Sequence, residues 1–410
     1  MNDKRICFLV GSMAISGGTY VIIQHAAYLR NQGYDVTLAV QEAFNDTTLS
    51  WHDEAPRLRC LPIEEAKRET FALVIATWWK TAFELGNFTA ARYAYFVQSI
   101  ESRFYPSSEK PLRALVDATY HFPIEYVTEA TWIQTTLTED FDRQTALVRN
   151  GIRKDVYSLS GAASAPRPTS KQPRILVEGH FGVSFKNTAL GVRLAKEAGA
   201  RDIWVLTGSP IKWLPGVSRI FSRVPMVKTA EIYRSCDILI KLSTVEGMFG
   251  PPLEIFHCGG TAVVFDVSGH DEYIVDGKNA VVIPTGNTDE VVRTLKKLIN
   301  DRSELSRLQE AAYETANTWP SWQESSAQFR VWVDKAAEGP AMDRSQLVEL
   351  TNNAFQKYAE QEKSRLNTSR WIVRRHKLSA LAAKLPPSFK LRVKQFEAIF
   401  EVLFGGREVR

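Results

Sequence analysis

The sequence predicts an α/β protein of two similar halves, each a parallel sheet flanked by helices, followed by a basic helical tail. Three observations carry this. Short β-branched runs alternate with amphipathic stretches along most of the 410 residues, the pattern of βα units and parallel sheets. The alternation stops at residues 160–173, SGAASAPRPTSKQP, a Pro/Ser/Ala-rich stretch that reads as a linker, and restarts at RILVEG. The charge then changes: of the formal net charge of +5, residues 338–410 supply +6, from 14 Lys/Arg against 8 Asp/Glu, and the body −1.

The first domain, expected over residues 1–165, opens with the strand RICFLVG, the helix TYVIIQHAAYLRNQG and the strand DVTLAV, and continues with FALVIAT, YAYFVQS and EYVT as further strands. The second, 174–318, runs RILVEG, the helix NTALGVRLAKEAG, IWVLTG, the helix KTAEIYRSCD, ILIKLS, TAVVFDV, NAVVIP and one long helix from TDEVVRTL to SELSRL. Residues 319–337, WPSWQESSAQFRVWVDKAA, form an aromatic-rich helix expected to return to the first domain, and 338–410 an amphipathic helical tail. Two such halves imply a cleft with ligands at strand carboxyl ends.

Composition excludes several classes. At 44% hydrophobic the chain can bury two ordinary cores. No apolar run approaches the roughly 20 residues of a membrane span, and the start MNDKRICFLVGS lacks a signal-peptide pattern, so the expected location is the cytoplasm. Cys7, Cys60, Cys236 and Cys258 show no metal or disulfide spacing. No metal site is expected. His25, His52, His121, His257 and His376 read as core or surface side chains.

Chemistry concentrates in EGMFGPPLE, residues 246–254. Gly247, Gly250 and the adjacent prolines forbid one continuous helix between Glu246 and Glu254. The segment reads as a loop carrying Glu246, then a short helix from Pro251 or Pro252 with Glu254 in its first turn and a stop at Gly259-Gly260. A helix start flanked by two carboxylates attracts an anion through its free N–H groups, although Glu254 could equally answer the dipole of a surface helix. In RILVEGHFGVSFKN, His180 and Lys186 stand between a strand end and the next helix. In GSMAISGGT, Gly17 and Gly18 open a helix and let backbone N–H groups approach a phosphate or sugar. The same turn serves equally as a βα connection that binds nothing. It is not GxGxxG, which disfavours a dehydrogenase.

These residues resemble the retaining, metal-independent GT-B glycosyltransferases of family 4. Glu178-Gly179-His180 followed by Lys186 is similar to the family's Gly-Arg pair and lysine, with histidine in place of arginine. EIYRSCDILIKLSTVEGMFGPPLE resembles its paired-glutamate segment with one residue more before the second glycine, and GGTAVVFDVSGHDEYIVDGKNAVVIPTGNTDEV continues it. NQGYDVTLAV and VRNGIRKDVY resemble first-domain segments, so the likeness spans roughly 5–335. ATWWKTAFEL and YFVQSIESRFYPSSE are similar to bacterial rhamnosyltransferases of surface glycans; Gln98 stands where many members of the broader family carry a histidine.

The resemblance implies two Rossmann-like domains facing a cleft, a nucleotide-diphosphate sugar on the second and a lipid-linked glycan acceptor on the first. The donor implied is dTDP-rhamnose, with a GDP-sugar as the other option. It implies that Glu246 orients the transferred sugar, that Lys186 and His180 meet the departing diphosphate, and that Glu254 holds the ribose. Gly247, Met248, Phe249 and Gly250 would complete the donor site, Ser222, Arg223 and Val224 would hold the base, and Gln98, Trp78 and Trp79 would line the acceptor side. The substitutions at His180 and Gln98 keep open a non-catalytic subunit that scaffolds an active partner. The tail, with ten Lys/Arg and no acid over 363–396, carries two apolar faces, Trp371/Leu378/Leu381/Leu385 and Phe389/Val393/Phe396/Phe400/Leu403. These point to an anionic inner leaflet or a packed hairpin or second subunit through 363–404. No nucleic-acid motif accompanies the charge.

Overall fold

The computed structural model describes residues 4–169, 172–368 and 386–406. The chain divides into two compact units, 1–149 with 325–390 and 150–324 with 391–410.

The first unit holds a seven-stranded sheet in the order β3-β2-β1-β4-β5-β6-β7. Its strands are β1 (Arg5–Val10), β2 (Asp35–Val40), β3 (Arg59–Pro62), β4 (Thr70–Ala76), β5 (Thr89–Val97), β6 (Glu125–Thr128) and β7 (Thr145–Leu147), and every pairing is parallel. The second unit holds β10-β9-β8-β11-β12-β13, with β8 (Ile175–Glu178), β9 (Ile203–Thr207), β10 (Arg219–Ser222), β11 (Ile238–Lys241), β12 (Thr261–Phe265) and β13 (Val281–Ile283), again all parallel. Central strands such as CFLV, LVIA and ILIK are buried throughout because helices cover both faces of a parallel sheet. The strands that sequence reading passed over, β3, β7 and β10, are short or carry partly exposed residues without a clean apolar run.

Three expectations are corrected. The single helix expected from 288 onward is two, Thr288–Asn300 and Arg302–Thr318. Asp301 leaves the helical conformation between them and its side chain accepts from the Glu304 N–H, a cap that starts a new helix. The Pro/Ser-rich stretch is not free between the halves but strapped to the second unit. Ala165 N donates to Ser235 Oγ at 3.1 Å, Arg234 binds the carbonyls of Val156 and Ala162, and Arg167 those of Cys258 and Gly259. Two arginines thus satisfy backbone that has no ladder partner. The crossing between units falls instead at Arg149/Asn150.

The helix Trp322–Ala337 belongs to the first unit from Ser325 on. Phe329 stacks on His25 at 4.0 Å, Ser326 Oγ lies 3.0 Å from His25 Nδ1, and Asp334 accepts from Tyr34. The tail is divided. Ser345–Thr368 packs on the first unit through Leu347 and Leu350, with Arg365 paired to Glu109 at 2.6 Å, whereas Leu391 onward belongs to the second. The face Trp371/Leu378/Leu381/Leu385 and His376 lie outside the described residues. Among the described residues no helix is long and apolar enough to cross a membrane.

Candidate active site

In the second unit the chain builds β8, β9 and β10 outward on one side and then crosses to place β11 on the other side of β8. The strand order therefore reverses between β8 and β11, the place where an open parallel sheet leaves a crevice at its carboxyl edge. The register sets Ile240 beside Val177, so the next residues along, Lys241 and Glu178, end the two strands side by side. Their charges meet: the Lys241 ammonium donates to Glu178. Lys241 Nζ also lies 3.5 Å from Glu246 Oε1, and Lys186 Nζ donates to Glu246 Oε2 at 2.7 Å. Glu178, Lys241, Glu246 and Lys186 thus form a row of alternating charge across the reversal point. The Lys241 side chain is only 3% exposed, which keeps it from reaching a ligand.

This row fixes the protonation of its members. Burial alone would push the Glu246 carboxyl up, but Lys186 and Lys241, with a hydrogen bond from Ser243, reverse this and hold it at about 2. Burial pulls the Lys186 ammonium down, against the opposing pull of Glu246. Lys241, which burial would also lower, is raised by Glu178 and Glu246. At neutral pH Glu246 is a carboxylate, with the Lys241 ammonium on one side and the Lys186 nitrogen on the other.

His180 follows β8, and its ring lies over Gly208, where any Cβ would collide with the imidazole. Burial lowers its pKa, and the charges of Lys186, Lys241 and Arg223 lower it further against Glu178. A neutral imidazole therefore stands where the resembling family has a permanent cation. Lys186 ends a short turn, Ser184–Lys186, beyond which Asn187 adopts φ 49° and caps the helix Thr188–Glu197; its amide donates to Leu242 O at 3.0 Å, tying this turn to the end of β11.

The helix expected near Pro251 starts at Gly250 and runs to His257, with no acidic residue in its first turn. Glu254 is its fifth residue, just past the first turn expected for it, and its carboxyl has Tyr233 and Tyr157 as hydrogen-bond partners. Burial, reinforced by Glu178, pushes Glu254 up to about 7. Gly247, Met248 and Gly250 are half-buried around this helix start, while the Phe249 side chain is fully buried in the core and can offer a ligand only backbone. Ser222 ends β10, and Arg223 and Val224 follow it; Arg223 holds φ 55° and its guanidinium donates to Gly208 O at 3.1 Å, beside His180. Gly259, at φ 80°, ends the helix as expected.

In the first unit the same reversal lies between β1 and β4. Thr77 Oγ1 donates to Leu9 O at 2.7 Å, and the Trp78 ring covers Gly11, where a side chain would strike the indole. The helix Gly17–Asn31 starts here behind its cap Ser16, with Gly18 against the Gln98 amide oxygen. Gln98 donates to Thr77 O at 3.2 Å, while its Oε1 is buried without a hydrogen-bond partner among the described residues. Trp79, paired with Trp78 in the sequence reading, is a core residue: it is 5% exposed, its indole N–H donates to Tyr105, and its backbone N–H to Glu101 at 2.7 Å. Only Trp78 presents surface.

Lys241 is the residue that sequence reading missed. The available signal was a charge closing an otherwise apolar strand, ILIK, matched by Glu178 at the end of ILVE.

Residues 214–315, which contain Lys241, Glu246 and Glu254, match the family described as Glycosyl transferases group 1. A search of curated proteins finds no match. Among solved structures the chain is similar to sucrose-phosphate synthase from Thermosynechococcus elongatus, at 12% identity and TM-score 0.63 over 81% of this chain and 98% of that one. It is similar to Anabaena HepE in complex with UDP and glucose, at 14% identity and TM-score 0.63 over 81% and 99%. It also resembles WaaG, a glycosyltransferase involved in lipopolysaccharide biosynthesis, at 12% identity and TM-score 0.61 over 80% and 99%. The two parallel sheets have the GT-B fold, and with the group 1 match this supports a glycosyltransferase enzyme.

Proposed function

We propose that the protein transfers a sugar, with retention of configuration and without a metal ion, from a nucleotide-diphosphate donor to a growing bacterial surface glycan. The sugar proposed is rhamnose, from dTDP-rhamnose, and the lipid-linked acceptor places the enzyme at the cytoplasmic face of a membrane. The observation that carries the reading is the Lys186–Glu246–Lys241–Glu178 row at the reversal point of the second sheet. A departing diphosphate gains negative charge as the anomeric C–O bond breaks, and a cationic donor there lowers the barrier by at most about 3–4 kcal/mol, less what leaving Glu246 costs.

Lys186 is the cation placed to do this, turning from Glu246 to the diphosphate as the donor arrives. Lys241 stays behind, so Glu246 keeps a cationic neighbour and remains a carboxylate able to accept hydroxyls of the sugar. The neutral imidazole of His180 supplies a hydrogen bond rather than a charge. Glu254 takes the ribose hydroxyls, exchanging its tyrosine partners for them, and Ser222–Val224 border the base. In the first unit, the Gln98 oxygen beside Gly18, without a partner among the described residues, and the partly exposed Trp78 ring are the groups offered to the acceptor. The dTDP-rhamnose assignment is supported by the likeness around 76–109; the HepE neighbour, solved with UDP and glucose, makes UDP-glucose the competing donor to include.

The test is release of nucleotide diphosphate from dTDP-rhamnose, GDP-mannose, GDP-rhamnose and UDP-glucose in EDTA, by wild type and Glu246→Ala. Turnover of dTDP-rhamnose that the variant loses, with the product anomer matching the donor by NMR, is the expected result. Binding without turnover, even with candidate acceptor glycans added, would instead favour a non-catalytic sugar-nucleotide subunit.

A further inference from the structure

The last described helix, Pro387–Phe404, joins the second unit from Leu391 on. It is held there by a face that the sequence reading did not single out. Ala398 and Val402, 1% and 2% exposed, sink into the core formed by the helices Thr188–Glu197 and Thr288–Asn300, with Ile399 packed beside them. Arg193 fastens the far end through the carbonyls of Glu401 and Gly406. Because these contacts occupy one side, the conspicuous apolar stripe of the helix points the other way. Phe396 is 69% exposed, Phe400 52%, Leu403 47% and Phe404 70%. Spacings of three and four residues put them on one face, and Phe400 and Phe404 stack at 5.2 Å.

The patch extends beyond the helix. Gln395 accepts from Lys212 N and donates to Trp213 O, both at 2.8 Å, and so pins the loop bearing Trp213, itself 59% exposed, alongside. Lys212, next to Trp213, and Arg392, on the same helix side as the rings, are exposed here, with one exposed acid, Glu397, at the edge of the stripe. Five large apolar side chains, each 47–70% exposed and grouped on one helix face and its neighbouring loop, mark an interaction site. Its chemistry, phenylalanines and a tryptophan with basic side chains, matches the boundary layer of an anionic bilayer. The helix itself carries Lys390, Arg392 and Lys394 ahead of its first acid, Glu397.

We infer that Trp213 with Phe396, Phe400, Leu403 and Phe404 forms a membrane-docking face of the second unit, which inserts its rings among the headgroups of an anionic lipid surface. This narrows the membrane part of the proposed function and rests on it. The readout is binding rather than catalysis, so failure of donor turnover would count against the transferase while leaving this face standing.

The test is co-sedimentation of the full chain with vesicles of phosphatidylcholine alone or with 30% phosphatidylglycerol. Wild type should partition to the anionic vesicles at least about tenfold more strongly than to the neutral ones. Phe396→Ser/Phe400→Ser should lose most of this binding while keeping the wild-type Tm, since neither ring supports the core. Phe396→Trp should retain it, and Lys212→Glu/Arg392→Glu/Lys394→Glu should abolish the preference for anionic lipid. Wild-type binding by the double serine variant would overturn the inference. So would an oligomer, seen by sedimentation velocity, that the serine variant converts to monomer while wild type ignores vesicles; the stripe would then join two copies of the chain.

Discussion

The two sheets share a topology and differ in what stands at the point where strand order reverses. Between β8 and β11 the strand ends are Glu178 and Lys241, continued by Glu246 and Lys186 into a row of paired charges. Between β1 and β4 the corresponding ends are followed by Gly11 and Thr77, covered by Trp78 and flanked by the Gln98 amide. One crevice ends in paired charges that set one another's protonation; the other ends in neutral donors, an amide oxygen without a partner among the described residues, and an aromatic ring. The fold supplies the place in both, and a handful of strand-end residues decides the chemistry.

The sharpest way to break this contrast is to remove the charge that sequence reading missed. Lys241→Met strips two partly buried carboxylates of a shared, buried partner, and stability should fall by about 2–4 kcal/mol, read as a lower denaturant midpoint. Lys241→Met/Glu178→Gln should recover part of that loss. If Lys241→Met leaves the midpoint and donor turnover unchanged, the row does not operate as a unit.

Next in size is a pH effect on the nucleotide. Glu254 titrates near 7 in the free protein because burial disfavours its charge, and only the ionised form can accept from both ribose hydroxyls. Nucleotide affinity should therefore rise about tenfold between pH 6 and pH 8, measured by calorimetry, and Glu254→Gln should flatten the profile. A flat wild-type profile would remove Glu254 from the binding site.

The first unit contains a buried carboxylate of the opposite kind to Glu246. Burial raises Glu101 to about 8 against the hydrogen bonds from Tyr95 and Trp79, with no cation to reverse it. Its folded pKa lies above that of the unfolded chain, so its contribution is complete below about 4.5 and lost as pH rises through about 8. Glu101→Gln, which preserves an oxygen for both donors, should make the melting temperature less dependent on pH across that window. An unchanged slope would place the titration elsewhere.

The smallest effect is expected at the neutral crevice. Gln98→Ala should lower donor turnover only a few-fold, since a neutral hydrogen bond contributes about 0.5–1.5 kcal/mol. A loss as large as that of Glu246→Ala would erase the distinction between the two crevices.

Local patterns decided much that the structure displays. Apolar runs marked the central strands, because burial on both faces demands continuous hydrophobicity, and glycines with prolines marked the break that separates Glu246 from Glu254. The loop to helix order around Lys186 and the stop at Gly259 were equally legible, being matters of backbone conformation within a few residues. What sequence could not settle depended on distant neighbours. The helix break at Asp301 turned on one capping bond, the strapping of 160–168 on partners 72 and 91 residues away (Arg234 to Ala162 and Arg167 to Cys258), and the burial of Trp79 rather than Trp78 on which side of a turn faced the core.

The sequence by itself determined two parallel α/β halves, the carboxylates and lysine of a candidate donor site, and the basic aromatic tail. Tertiary structure decided that Lys241 and Glu178 lie side by side, since parallel register across 63 residues of separation is set by sheet assembly and not by either strand. It also decided which face of the final helix is exposed. Its periodicity defined a stripe of phenylalanines, but only the fit of Ala398 and Val402 into the second core turned that stripe outward.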